Sequence, residues 1–418
     1  MIWLWSDLLL WAMVASALWG LAHLLHTEPG RYKLSLLFNQ KRVVFAAVLL
    51  GFYVLIALLD SIHWIDVHHQ TISVLDVLFN SVLHHQEVSY SVPFSTQSLI
   101  FAKETAVQHT AYPLLVHTAQ QSWRTLQDSL WLAAGFGGVG LCVVLHLVRH
   151  KTLAWSLGFI VVLITFMVVL VPHWHVLGTN KIGEDVLYLS LKGVRTGMLI
   201  GVVTTWFMLP FALGLGILAG YCKGWVDDVI QYIYTTLSAI PGVLLIAASL
   251  LTLQKFFESA LVQNTNAVER ADSRLLLLCA LLGVMSWTTL CRLVRAQTLQ
   301  VKELEFVNVA RNLQMPLLLI LKRQILPNIL PLVLITVILD FSGLVLAEAV
   351  LSYLGIGVDP ASYSWGTMIN GARLEMVREP SVWWTLCGAF VGMFGLVVSV
   401  NLLADGVQKV WDPKRRVL

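Results

Sequence analysis

The stretch from Cys291 to Pro331, CRLVRAQTLQVKELEFVNVARNLQMPLLLILKRQILPNILP, lies between two hydrophobic segments and decides the fold. It is too polar to cross a membrane and too apolar to float freely in water. Its pattern predicts two short helices separated near 314–316, with Val307, Ala310 and Leu313 on one face as an apolar knob for a soluble partner. Pro327 and Pro331 are expected to restart the chain into the next span. An amphipathic interfacial linker is the alternative interpretation.

The composition places the whole chain in a membrane. Of its 418 residues, 57% are hydrophobic and 12% are charged, and the mean hydropathy is +0.76. Soluble domains carry roughly a quarter charged residues, so the bilayer must cover this core. Disorder and nucleic-acid binding are excluded as well. The five cysteines lie far apart in the sequence, which excludes a disulfide scaffold and any metal-type cysteine spacing.

The hydrophobic stretches predict an all-α, polytopic transmembrane helical bundle. A helix needs about 20 apolar residues to cross the hydrocarbon. Stretches of about that length, free of Lys and Arg, predict about nine spans. They lie near 3–25, 43–59, 129–148, 154–172, 196–219, 228–253, 275–291, 329–352 and 383–406.

The distribution of basic residues predicts the orientation. Basic residues are about threefold denser in the alternate segments that would be cytoplasmic with the N-terminus outside than in the others. We therefore expect the N-terminus outside and the C-terminus in the cytoplasm. The N-terminal stretch lacks a basic region and carries Asp7, so an uncleaved helix is favoured over a cleaved signal peptide.

Four further segments, taken with the 291–331 stretch, resemble a known family. LGTNKIGEDVL at 177–187, followed by Arg195, and GYCKGWVDD at 220–228 are similar to segments of the type I ABC importer permeases, in the dipeptide, oligopeptide and nickel group. AEAVLSYLGIGV at 347–358 and SWGTMINGAR at 364–373 also resemble that group. The matches extend over a little more than half of the chain.

The resemblance assigns the 292–328 segment as the cytoplasmic coupling loop. When Leu326-Pro327 is aligned with the family's Leu-Pro, Asn308 stands at the motif's Glu and Gln314 at its Gly. Lys223 likewise stands where the family usually has Gly. We expect Arg311, Lys322 and Arg323 to surround the contact with the ATPase. The residues expected to couple to the ATPase are Val307, Asn308, Val309, Ala310, Arg311, Gln314, Leu326 and Pro327.

The resemblance also implies a domain organisation. Residues 1–42 would be an added N-terminal helix and loop, and 43–128 the first core helix and an outer loop. Residues 129–172 would be an inserted transmembrane hairpin, and 173–418 the rest of the permease core. A composition shift near residue 175 supports the last boundary, because all 13 histidines lie between His23 and His175.

The function implied by the resemblance is that of a permease subunit, not an enzyme, which imports di- and oligopeptides across the bacterial inner membrane by alternating access. The sequence contains no G-x-x-x-x-G-K-[ST] motif, so ATP and Mg²⁺ are expected in partner subunits and no cofactor in this chain. The expected partners are a second homologous permease, two ATP-binding subunits, a periplasmic substrate-binding protein and membrane lipid, with no nucleic acid.

Two ionisable residues and a group of histidines remain as candidate sites. Asp340 and Glu348 lie in the eighth span, where a charge is costly. Either residue is expected to line a translocation path, to meet the partner permease or to make a helix-end or interhelical hydrogen bond. The hydrogen bond is the favoured interpretation for Glu348. The outer histidines could instead serve nickel or another metal, which makes a metal-handling membrane protein the alternative function. The histidines proposed for metal are His63, His68, His69, His84 and His85. A haem or redox enzyme is disfavoured, because only His23 and His146 lie inside spans, both near an end.

Overall fold

The computed structural model describes residues 4–65, 71–79, 89–95, 123–148, 151–261, 267–359, 362–378 and 381–411. Long apolar runs form helices there because a backbone in hydrocarbon must satisfy its own N–H and C=O groups. In chain order the elements are α1 (Trp5–His26), α2 (Glu28–Phe38), α3 (Lys41–Asp60), β1 (His63–Ile65), β2 (Thr71–Ser73), α4 (Val74–Leu78), α5 (Trp123–Leu147), α6 (Lys151–Leu170), α7 (Val186–Cys222), α8 (Trp225–Ala239), α9 (Gly242–Leu261), α10 (Ala267–Lys302), α11 (Glu305–Asn312), α12 (Leu317–Ile320), a π-turn (Leu321–Ile325), α13 (Leu326–Tyr353), α14 (Trp365–Glu375) and α15 (Trp384–Trp411).

The membrane-length helices confirm the predicted all-α polytopic bundle. Within the described residues, eight helices are long and apolar enough to span a bilayer, and a bent pair makes a possible ninth. The strands β1 and β2 form one short antiparallel ribbon in the loop after α3. The described part of the chain is therefore built almost wholly from spanning helices and their connections.

The stretch 228–253, predicted as one span, is bent sharply in the structure. Its two parts, α8 and α9, meet at an angle of 88° around Ile240 and Pro241. Proline lacks the N–H that a continuous helix needs, and it disfavours a helical backbone at the residue before it. Ile240 accordingly takes an extended conformation, with φ −89° and ψ 132°. Hydropathy alone did not detect this break.

The seventh predicted span, 275–291, is much longer in the structure. As α10 it continues to Lys302, into the stretch that was assigned to a loop. The basic residues in this extension have partners: Arg295 forms an ion pair with Asp227, and the guanidinium of Arg292 lies over the ring of Tyr234, 5.2 Å from its centroid. The extension is thus an amphipathic continuation of the helix, whose charges lowered its hydropathy.

The sequence predicted that the chain restarts into the next span at Pro327 and Pro331. In the structure the helical span does not break at either proline. From Leu317 to Tyr353 the chain passes through α12, the π-turn and α13 as a single candidate span. Pro327 lies in the first turn of α13, and Pro331 lies inside the helix. A π-turn widens the helix by one residue, which accommodates a proline ring and its missing N–H in the following turn.

The core of the bundle is built around α7 and α10, which pack along one another. Gly216 and Gly220 on α7 permit this approach, because a Cβ at either position would lie under 3 Å from Val294 or Thr298 on α10. α13 and α15 also pack against α7, and α3 packs against α15. The Tyr53 hydroxyl on α3 donates a hydrogen bond of 2.8 Å to the Gly392 carbonyl on α15.

The helices predicted as additions pack at the edge of this bundle. The α5–α6 pair forms a hairpin, and α6 lies against α3. α1 contacts α7 and α10, but little of its apolar length is buried. The division of the chain into a core and added segments stays a prediction.

Candidate coupling surface and intramembrane carboxylates

The coupling segment predicted from the sequence forms a compact helical corner at one end of α10. α11 follows α10 after a short turn, and α12 begins after a second turn at Gln314 to Pro316. The Met315 N–H donates to the Ala310 carbonyl, at 3.2 Å, and closes the second turn. The sequence prediction of two short helices separated at 314–316 agrees with this arrangement.

The inner face of the corner is held in the protein's own core. Val307 and Ala310 on α11 are buried, and so is Ile320 on α12. They pack in one cluster with residues of α7 and α10 such as Met208 and Val294. The predicted apolar knob is therefore wrong for Val307 and Ala310, because helical spacing groups residues on a face without saying which way that face points.

The outer face of the corner carries a separate set of exposed apolar side chains. Leu313 is 71% exposed, Leu318 is 80% exposed and Val309 is 55% exposed. Arg311, Lys322 and Arg323 in the same segment are also exposed. We call Phe306, Val309, Leu313, Leu317 and Leu318 the outer apolar face. Sequence reasoning did not single out Phe306, Leu317 or Leu318, although the apolar run LLLI beside a proline was the available signal.

The other predicted coupling residues lie around this corner without forming one patch. Asn308 is exposed, and its amide Nδ2 lies 3.5 Å from the Glu303 carbonyl, to which it donates. Pro327 is exposed and Leu326 is half-buried, one helical turn beyond the basic pair. The structure thus separates the predicted set into inward-facing residues and outward-facing ones.

Two positions that lack the family's glycine nevertheless keep a left-handed backbone. Gln314, in the turn between α11 and α12, has φ 55°, and Lys223, between α7 and α8, also has φ 55°. Left-handed backbone is where glycine has no steric penalty and other residues pay one. The bend of the coupling segment is therefore preserved without the glycine.

Cationic side chains fix the corner to the end of α7. The Tyr221 ring lies between Lys302, with its ammonium 5.1 Å from the ring centroid, and Arg311, at 5.7 Å. Lys302 also donates a hydrogen bond to the Tyr221 carbonyl. Nearby, Arg295 makes a bidentate pair with Asp227, at 2.5 and 2.7 Å. Because Arg–carboxylate forks are geometrically specific, α7, α8, α10 and α11 meet here as one rigid junction.

The two intramembrane carboxylates have different surroundings. Glu348 is buried, and its Oε1 accepts hydrogen bonds from Ser352, at 2.6 Å, and Ser364, at 3.1 Å. The hydrogen-bond interpretation favoured for Glu348 agrees with this geometry. Asp340 is half-buried and has no hydrogen-bond or ion-pair partner among the described residues. Of these two carboxylates, only that of Asp340 lacks a partner among the described residues.

A metal site is not supported by the described histidines. His63 lies with its Nδ1 3.1 Å from Asp7 Oδ2, and no group of three or more potential metal ligands occurs in the described part of the chain. The other proposed ligands, His68, His69, His84 and His85, lie outside the described residues.

Sequence reasoning missed two ionic clusters near the start of α7. In the first, Arg195 on α7 binds Asp7 on α1, at 2.6 Å, and the Ser6 N–H donates to Asp272 on α10. The available signal was the acidic residue at the start of an apolar helix together with a basic residue near the start of α7.

The second cluster surrounds the ammonium of Lys192. It lies 2.8 Å from Asp76 Oδ1 and 3.7 Å from Asp60 Oδ1, and the Tyr188 hydroxyl also donates to Asp76. Burial raises the pKa of the Asp76 carboxyl, but the Lys192 charge and the hydrogen bonds outweigh burial, so the pKa lies below its usual value. Asp76 thus stays ionised, and its ion pair with Lys192 attaches α4 to α7.

Comparisons with known proteins agree with one another. Residues 212–417 match the family described as binding-protein-dependent transport system inner membrane component. The oligopeptide transport system permease protein of Mycobacterium bovis is 30% identical over 246 residues, which cover 59% of this chain and 77% of that protein.

Two further relatives have the same relationship to the chain. The glutathione transport system permease protein of Pectobacterium atrosepticum is 30% identical over 58% of this chain and 73% of its own length. A putative peptide permease protein of Brucella suis is 28% identical over 58% of this chain and 74% of its own length. These names concern peptides and glutathione, and they do not favour the nickel alternative.

Proposed function

This chain belongs to the family of binding-protein-dependent transport system inner membrane components, and on that premise we propose that it carries short peptides across the bacterial inner membrane. It is a multi-pass permease of an ABC importer rather than an enzyme. The peptide cargo is supported by the relatives, whose names specify oligopeptides, glutathione and peptides. The N-terminus would lie outside and the C-terminus in the cytoplasm, as the basic residues indicate.

ATP hydrolysis is assigned to partner subunits because this sequence has no phosphate-binding motif for ATP. Without a phosphate-binding G-x-x-x-x-G-K-[ST] loop, the permease takes its energy from two ATP-binding partner subunits that hold ATP and Mg²⁺. A substrate-binding protein would deliver the peptide from the outer side. A second, homologous permease would form the other half of the route.

The outer apolar face is the observation that carries the proposed contact with the ATPase subunits. The outer apolar face lies on α11 and at the start of the candidate span Leu317–Tyr353, and the exposed cations Arg311, Lys322 and Arg323 of the same segment are taken as its basic rim. Such a face suits a hydrophobic cleft on a soluble subunit, with the rim meeting acidic residues. We assign the ATPase contact to this face.

The rigid junction beneath the outer apolar face would transmit a displacement of α11 to α7 and α10. α11 is fixed to α10 through the buried Val307 and Ala310, and to α7 through Tyr221. A displacement of α11 therefore moves the inner ends of α7 and α10 together. Rigid-body rocking of this kind would convert closure of the ATPases into alternating access.

The test is a substitution on the outer apolar face that leaves the core intact. Leu318→Asp places a charge where we expect an apolar contact, so we expect at least a tenfold loss of ATPase subunits that co-purify with the permease, and an equal loss of ATP-dependent peptide uptake. The matched control is Leu374→Asp on α14, an exposed leucine beyond the opposite end of α13. Full ATPase recovery with Leu318→Asp would contradict the assignment.

A further inference from the structure

Asp340 lies at the middle of its membrane span. It is on α13, and the ring of the next residue, Phe341, packs against Gly201 near the middle of α7. Neither end of the span is within reach of its short side chain. Water or lipid headgroups at the bilayer surface therefore cannot solvate this carboxylate, and an ionisable group at this depth requires a polar surrounding.

The side chains around Asp340 do not supply that surrounding. On the helical surface its neighbours at positions i−4, i−3, i+3 and i+4 are Thr336, Val337, Gly343 and Leu344. Thr336 donates its hydroxyl proton to the Leu332 carbonyl, and no atom lies within 4 Å of the space above Gly343. The carboxylate of Asp340 has no hydrogen-bond or ion-pair partner in the described part of the chain, whereas Glu348, two turns further along, has two donors.

Asp340 also marks a boundary on the surface of α13. On one side of it, Val333 and Leu344 are buried against the chain's own core. On the other side, Leu339 and Val350 are 46% and 49% exposed. At about 100° per residue, Asp340 falls between these two faces, and Gly343 leaves the space beside it open.

We propose that Asp340, with the open notch over Gly343 and the Thr336 turn beside it, is a cation site on the translocation route that receives the α-ammonium of the peptide during passage. This inference rests on the proposed peptide import. The exposed side of α13, marked by Leu339 and Val350, would pack on the second permease. Asp340 lies at the edge of that side and therefore at the seam between the two subunits. A carboxylate at the seam attracts the ammonium end of a peptide that has left its water.

The arrangement suits a transient site rather than a tight one. A single carboxylate beside a small residue offers one charge-assisted hydrogen bond, without the second anion or aromatic cage that would retain an amine. Conduction requires a site that is favourable enough to enter and weak enough to leave. Lys192, by contrast, has both Asp60 and Asp76 within 4 Å and two tyrosine rings beside it, as a permanent structural pair does.

The first experiment asks whether Asp340 faces water during transport. In the assembled importer, Asp340→Cys is treated with a membrane-impermeant cationic thiol reagent. Leu339→Cys, on the exposed side of α13, is the matched control. We expect Asp340→Cys to react and to be protected by an excess of transported peptide, and Leu339→Cys to stay unmodified. The buried Cys279 and Cys291 can remain, whereas the exposed cysteines are replaced first: Cys142, Cys222 and Cys387.

The second experiment asks whether the charge matters to the cargo. With Asp340→Asn we expect at least a tenfold fall in kcat/KM for dipeptides with a free α-ammonium. We expect a smaller fall for N-acetylated peptides that the wild type carries. Asp340→Glu is expected to recover more than half of the wild-type rate. Equal losses for both peptides, wild-type uptake by Asp340→Asn, or an unreactive Asp340→Cys would overturn the inference.

Two outcomes distinguish this inference from an ion pair between subunits and from a failure of the proposed function. If Asp340→Asn no longer co-purifies with the second permease, the residue forms an ion pair between subunits and the inference is overturned. If the wild-type assembly carries no peptide at all, the proposed function fails instead. Accessibility of Asp340→Cys would then still support a water-filled route for another cationic solute.

Discussion

Gln314 has a left-handed backbone in the turn that joins α11 to α12, with φ 55°. For a residue with a Cβ this conformation costs on the order of 1 kcal/mol, and a β-branched side chain is a stronger outlier still. The turn is retained because the buried faces of α11 and α12 fix the direction of both helices. Lys223 also has a positive φ, of 55°, and is followed by Gly224, which has φ 69°.

We predict that Gln314→Val destabilises the coupling corner, whereas Gln314→Gly does not. The valine adds strain of on the order of 1 kcal/mol at positive φ, and glycine removes the Cβ that causes it. The measurement is the apparent Tm of the purified permease, together with the recovery of ATPase subunits.

The control for this prediction is Asn312→Val, in the last residue of α11, where the backbone is helical and the side chain is exposed. It introduces the same side chain two residues earlier without positive φ. An apparent Tm that falls equally with Asn312→Val and Gln314→Val would mean that backbone strain at Gln314 is not the cause.

At the scale of elements, α1 is attached to the bundle mainly through its first turn. Asp7 is completely buried and receives two hydrogen bonds from Arg195, at 2.6 and 3.0 Å. His63 lies 3.1 Å from its other oxygen, and the Ser6 N–H donates to Asp272 on α10. Much of the remaining length of α1 is exposed, so this cluster determines where α1 lies.

We predict that Arg195→Met destabilises the permease strongly, because it leaves the buried Asp7 carboxylate without its cation. Breaking one half of a buried pair costs about 3–5 kcal/mol. Asp7→Asn combined with Arg195→Met should cost less than the sum of the two single changes, since the double variant removes both charges. The measurement is the apparent Tm of the four proteins.

The control here is Lys181→Met, which removes an exposed cation from the loop before α7. We expect its effect to stay within about 0.5 kcal/mol, as for most surface changes. Strictly additive effects of the Asp7 and Arg195 substitutions would show that the two side chains do not stabilise one another.

How much of these elements the sequence could predict depends on the kind of signal. Hydrophobic length located the spans, because nothing but an apolar helix of about 20 residues satisfies its backbone in lipid. It could not locate the break at Pro241, since proline occurs within spans such as α7 and α13 without breaking them. It also ended α10 too early, because it counted Arg295 as a loop charge rather than as the partner of Asp227.

The candidate site was predictable in position but not in orientation. Mixed polarity singled out the segment 292–328, but residues 292–302 continue α10, and Val307 and Ala310 face inward. Which face of a short helix is buried depends on α7 and α10, whose contacts a periodic pattern does not contain. The free carboxylate of Asp340 was visible in the sequence as a charge within a span, and the structure adds the contrast with Glu348.

At the scale of the whole molecule, α7 tests the orientation of the entire bundle. It is an uninterrupted helix of 37 residues, about 55 Å long, which exceeds the 40–45 Å of a bilayer with its headgroups. Its two ends must therefore emerge on opposite sides. The exposed Ile182 lies just before the helix, and the exposed Cys222 is its last residue.

We predict that Ile182→Cys reacts with a membrane-impermeant maleimide in intact cells, and that Cys222 reacts only after the inner membrane is permeabilised. The density of basic residues favours this orientation, because loops rich in Lys and Arg are retained in the cytoplasm. Each thiol is tested with the other exposed cysteines replaced. Reversed labelling would move α11 and its outer apolar face to the outer side, where no ATP is available, and would refute the coupling assignment together with the orientation. Labelling of both thiols in intact cells would instead refute α7 as a complete span, so the two failures can be distinguished.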